Sequence, residues 1–98
     1  MNNKKKIRDR LWRENEEICA HCGHRIYADY NKTVDHFIPK SCFGSLDSRN
    51  LFPVCRRCNK ERGNELVGID FYPYIAEYKK KLALEYGKEY NSRVNSMA

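Results

Sequence analysis

The chain has 98 residues, 41% of them hydrophobic, with 19 Lys plus Arg against 13 Asp plus Glu and a net charge of +6. A body of this length buries only roughly 60 to 70% of the surface its unfolded form exposes, so its own core is marginal and a staple is expected. No run approaches the roughly 20 apolar residues that cross a bilayer, which excludes a helical span, and the positive charge favours a polyanionic partner without identifying it.

The chain opens Met1-Asn2-Asn3-Lys4-Lys5-Lys6, with no apolar export segment, so its five cysteines read as thiolates of a cytoplasmic protein rather than as disulfides. Over residues 4–17, Ile7 and Leu11 stand at i and i+4 with Ile18 further along, which predicts an amphipathic helix with Trp12 flanking its buried stripe. Ile18 to His24 reads as a turn, with Gly23 permitting a tight reversal. Residues 25–38 carry β-branched and aromatic side chains on both sides of Asp29 to Lys32, predicting a hairpin whose second strand is Thr33 to Phe37. Pro39 ends that strand, and residues 40–50 read as a loop that the site chemistry requires to be ordered.

Leu51 to Val54 is a short apolar patch, after which Asn59 is placed to cap a short helix that Gly63 stops. Asp70 reads as the cap of a packing helix over about 70–90, in which Tyr74 or Ile75, Tyr78, Leu82 and Tyr86 recur at helical spacing. These tyrosines, with Tyr90, are read as core cover, a homodimer interface being the alternative. With no repeat or linker, residues 1–98 read as one domain with its core over about 15–65.

Cys19 and Cys22 form one C-x-x-C pair, and Cys55 and Cys58 a second. Each lets a single turn present two sulfurs at about 2.3 Å to one ion, so four thiolates close a tetrahedron and the zinc is structural. The competing reading, a redox pair, would need a βαβ context that this length does not supply. Cys42 is left without a role, and His21 and His24 are expected beside the zinc rather than on it.

The insert pinned between the two pairs carries Val34-Asp35-His36-Phe37-Ile38-Pro39. A neutral imidazole can take a proton from water, and an adjacent carboxylate is a hard oxygen ligand for Mg²⁺. Such a site needs a further ligand and a group that fixes the imidazole; Asn50 and Asn59 are the short polar side chains at metal-anchored places.

The string of C-x-x-C, Val-Asp-His-Phe-Ile-Pro, Asn-Leu-Phe-Pro-Val-Cys-x-x-Cys-Asn-Lys and Gly63 resembles the HNH endonuclease family over roughly residues 15–65. The resemblance implies an α+β chain with the small ββα-metal (His-Me finger) fold, a structural zinc held by two C-x-x-C knuckles, and flanking helices at about 4–17 and 70–90. It also implies roles: His36 as general base, Asp35 as metal ligand, Asn50 as holder of the histidine loop, and Asn59 as second ligand where other members carry His. The cofactors implied are structural Zn²⁺ and catalytic Mg²⁺ or Mn²⁺. The activity implied is hydrolysis of DNA phosphodiester bonds, the DNA double-stranded, by a bacterial or phage-encoded protein.

Lys40, Arg56, Arg57, Lys60 and Arg62 crowd the insert and second knuckle and read as phosphate contacts. Lys4 to Lys6 and Lys79 to Lys81 read equally well as solvated helix faces. The alternative to an enzyme is a non-catalytic zinc module that binds nucleic acid or protein.

Overall fold

The computed structural model describes residues 3–39 and 47–96, so Lys40 and Cys42 lie outside the described residues. Helix α1 is Asn3–Glu14, strand β1 is Lys32–His36, strand β2 is Leu51–Cys55, helix α2 is Arg56–Arg62 and helix α3 is Glu77–Ser96. Short 3₁₀ turns at Asp29–Asn31, Ser48–Asn50 and Ile69–Phe71 link them. The fold is a small α+β arrangement in which a two-stranded antiparallel sheet leads directly into α2.

Strand pairing departs from the expected hairpin. β1 pairs with β2, in a register that sets Lys32 opposite Cys55, Asp35 opposite Phe52 and His36 opposite Leu51. Arg25, expected in the first arm, instead bridges to Ile18 and closes the first knuckle. Burial explains the choice: all five residues of β2 are buried, whereas Tyr27 in the rejected arm is 83% exposed and would bring little apolar area to the pair. Pro53 is tolerated in β2 because the ribbon has two strands, and its carbonyl accepts from the Ala20 amide at 2.8 Å.

The helix ends also differ from expectation. α1 stops at Glu14 because Glu16 and Glu17 adopt positive φ of 56° and 62°, which turns the chain back toward the first knuckle. Trp12 is the centre of its buried face, and its indole Nε1 donates to the Thr33 carbonyl at 2.8 Å, fastening α1 to β1. The second knuckle itself supplies the first turn of α2, so Asn59 lies inside the helix rather than capping it. Gly63 ends that helix at φ 59°, as its sequence position suggested.

Asp70 lies in a 3₁₀ turn and α3 begins only at Glu77. Pro73 is the reason, since a residue preceding proline is pushed out of the helical region, and Tyr72 sits at φ −114°, ψ 66°. Ala83 and Tyr86 form the buried face of α3, while Tyr74 and Tyr78 are 54% and 60% exposed and are not core. A further core tyrosine is Tyr72, fully buried and stacked on Phe52 with ring centroids 4.0 Å apart. Arg49 joins α3 to the turn before β2, donating to both Glu89 carboxylate oxygens at 2.9 and 2.7 Å. No helix among the described residues is long and apolar enough to cross a membrane.

Candidate active site and metal centre

The two knuckles meet. The sulfurs of Cys19, Cys22, Cys55 and Cys58 all lie within 4.8 Å of one another. A tetrahedron with metal–sulfur bonds of about 2.3 Å separates its sulfurs by about 3.8 Å, so the cluster fits one zinc ion. The Cys55 and Cys22 amides approach the Cys19 sulfur at 3.3 and 3.5 Å, as donors to a thiolate would. Burial pushes the Cys19 and Cys58 thiols up, whereas Cys55, despite its own burial, is drawn down by hydrogen bonds from the Cys58 backbone and the neighbouring thiols. His24 Nδ1 lies 3.3 Å from the Cys22 sulfur, and His21 stacks on Phe71 with Nδ1 2.7 Å from the Phe71 carbonyl, so both stand beside the cluster.

At the far end of β1, Asp35, His36, Asn59, Arg62 and Asn64 line one cavity of about 140 Å³. Neighbours on a strand face opposite ways, yet Asp35 and His36 share this cavity because β1 ends at His36 and the chain bends around the opening. Two devices hold the bend. Asn50, fully buried, accepts from the Ile38 amide at 2.8 Å and donates to the Ile38 carbonyl at 3.1 Å. Arg62 donates to the His36 and Phe37 carbonyls at 2.7 and 2.9 Å. The backbone from His36 to Ile38 is thus held by two side chains.

Asp35 is 4% exposed, and its Oδ2 accepts from Arg62 Nη1 and from the Tyr72 hydroxyl, both at 2.6 Å. Its Oδ1 has no hydrogen-bond partner among the described residues. Burial, and then the adjacent Asp35 carboxylate, hold the Tyr72 phenol well above the ordinary tyrosine range. The Asn59 amide donates to Thr33 Oγ1 at 2.9 Å and the Val34 carbonyl at 3.3 Å. A carbonyl can only accept, so this contact fixes Asn59 Nδ2 against β1 and leaves Oδ1 as its available ligand atom. Two hard oxygens, Asp35 Oδ1 and Asn59 Oδ1, therefore belong to residues lining one cavity with His36, a donor set that suits Mg²⁺ or Mn²⁺.

The expected phosphate contacts divide. Arg56, Arg57 and Lys60 are exposed. Arg62 is not: its side chain is 1% exposed and its guanidinium is occupied by Asp35, Tyr72 and three backbone carbonyls, so it faces the interior and not a phosphate. Sequence reasoning missed Tyr72, which reaches Asp35 from 37 residues away, and Asn64, which lines the cavity just past Gly63. Asn64 stands one residue beyond a helix stop, a weak signal; nothing in the sequence marks Tyr72.

Residues 19–65, which contain both knuckles and every proposed chemical group, match the HNH endonuclease family model. This segment belongs to the HNH endonuclease family. Over 52 residues the chain is 45% identical to the CRISPR-associated endonuclease Cas9 of Corynebacterium diphtheriae, a match covering 52% of this chain and 5% of that protein. Over 48 residues it is 38% identical to the Septu protein PtuB of Bacillus thuringiensis, covering 46% of this chain and 19% of that one. The chain thus spans only a small part of these relatives.

Proposed function

We propose that the protein is a metal-dependent endonuclease that hydrolyses phosphodiester bonds of double-stranded DNA at the Asp35–His36–Asn59 cavity. The observation that carries this reading is that His36, Asp35 and Asn59 line a single small cavity inside the HNH segment. Asp35 and Asn59 would hold one Mg²⁺ or Mn²⁺, which supplies charge stabilisation for the phosphate and the departing 3′ oxygen. His36 accepts the proton of the attacking water. Arg62 and Asn50 fix the backbone from His36 to Ile38 and so position the histidine beside the cavity. Exposed Arg56, Arg57 and Lys60, together with Lys40, grip flanking phosphates. The four-cysteine zinc holds the two ends of the insert together and takes no part in the reaction.

Incubation of the protein with supercoiled plasmid, with and without Mg²⁺ or Mn²⁺, tests this reading. Metal-dependent relaxation that leaves 5′ phosphate ends supports it. A plasmid retarded but uncut under every metal would move the reading to a non-catalytic zinc module.

A further inference from the structure

A second cavity, of about 400 Å³, adjoins the first. Lys4, Lys5 and Arg8 of α1 meet Lys32 of β1 around it, and its remaining wall includes Val34 and Asn59, which also line the candidate cleavage cavity. Positions 4, 5 and 8 fall on one side of a helix, the side that one to two turns further along carries the buried Leu11 and Trp12 and so faces β1. Lys32 is braced by Glu17 at 2.7 Å and Arg8 lies against Asp9 at 2.9 Å, yet neither acid lines the groove, whose walls carry four cationic residues and no carboxylate.

This charge stands where it is unfavourable for the protein alone. The first turn of α1 contains no acid, so Lys4 and Lys5 add to the positive end of the helix dipole, beside a further cation on β1. An anion relieves both costs, and the shared wall at Asn59 places that anion next to the bond proposed to be cut.

We propose that the α1–β1 groove binds the DNA backbone beside the scissile phosphate, as an extension of the cleavage site. The proposal rests on the nuclease reading for the identity of the polyanion. It adds a surface that lies before the family-matched segment, since α1 ends at Glu14 and the match begins at residue 19.

The test is equilibrium binding of a short labelled DNA duplex to zinc-loaded protein without Mg²⁺, so that nothing is cut, across a salt series. The Lys4→Gln/Lys5→Gln/Arg8→Gln variant is compared with Lys80→Gln/Lys81→Gln/Lys88→Gln, which removes equal charge from α3. Each lost phosphate contact lowers the slope of log affinity against log salt by about 0.9, so the α1 variant is expected to lose about 2 to 3 from the slope. It should bind about tenfold or more weakly at low salt, while the α3 variant stays within about twofold of wild type. An α1 variant that matches the α3 variant in affinity and slope overturns the groove while leaving the nuclease reading intact. A wild-type protein that binds no duplex overturns both. Zinc content and far-ultraviolet circular dichroism establish that the variants are folded. If the triple variant misfolds, Lys5→Gln alone must still lower the slope by about 1, and an unchanged slope overturns the groove.

Discussion

The hydroxyl of Tyr72 donates a 2.6 Å hydrogen bond to the carboxylate of Asp35 across 37 residues of sequence. It shares that oxygen with Arg62, so the proposed metal ligand is held by a buried cation and a buried phenol at once. This geometry dedicates Oδ2 to the protein and leaves Oδ1 for an ion.

Breaking this cluster from the arginine side should be costly. Arg62→Met leaves the Asp35 carboxylate buried without its cation, a change of the kind that costs about 3 to 5 kcal/mol. Urea unfolding is expected to show that loss. A cost within experimental error of zero would mean that the pair is not buried as described.

Tyr72→Phe should lower stability by about 1 to 2 kcal/mol near neutrality, through the lost hydrogen bond to a charged acceptor. Its pH dependence is a sharper readout. The phenol is raised well above the ordinary value near 10 in the folded state, so above about pH 10 the unfolded chain releases this proton and the folded chain retains it. Stability must therefore fall as pH rises above 10, by up to about 1.4 kcal/mol per unit from this group, and the fall must be absent from the wild-type minus Tyr72→Phe difference below pH 10. Denaturant unfolding of both proteins between pH 8 and about 11 checks the sign.

Asn50→Ala removes both bonds to Ile38 and leaves part-buried backbone groups without those partners, an expected loss of about 1 to 3 kcal/mol. Because the same bonds hold the chain two residues past His36, cleavage by the folded variant should fall in turnover more than in DNA affinity. Equal losses in the two would remove the positioning role.

The two metals should separate cleanly. A chelator strong enough to strip zinc from the four cysteines is expected to unfold the chain, because the cluster joins the first knuckle to β2 and α2. Withholding Mg²⁺ should stop cleavage and leave circular dichroism unchanged. A chain that keeps its fold without zinc would show that the core stands without its staple.

What the sequence made legible was local spacing. Two C-x-x-C pairs, a histidine at a strand end and a glycine after a short helix all carry their meaning within a few residues, and Asn50 and Asn59 could be located because each stands a fixed distance from a cysteine. The misreadings concern partners. Arg25 to Ala28 has the composition of a strand but too little apolar surface to compete with Leu51 to Val54 for β1. Glu16 and Glu17 turn the chain in a left-handed conformation that Glu residues do not advertise. Arg62 announces its charge but not its burial, which depends on Asp35 and Tyr72 arriving from elsewhere.

The central claim is that His36 activates water in the cavity it shares with Asp35 and Asn59. Wild type and His36→Ala, each verified as zinc-loaded and folded, should be incubated side by side with supercoiled plasmid and Mg²⁺. The account predicts nicking by wild type and, for the variant, DNA binding retained with cleavage reduced by about 100-fold or more. Cleavage by His36→Ala at the wild-type rate would contradict it.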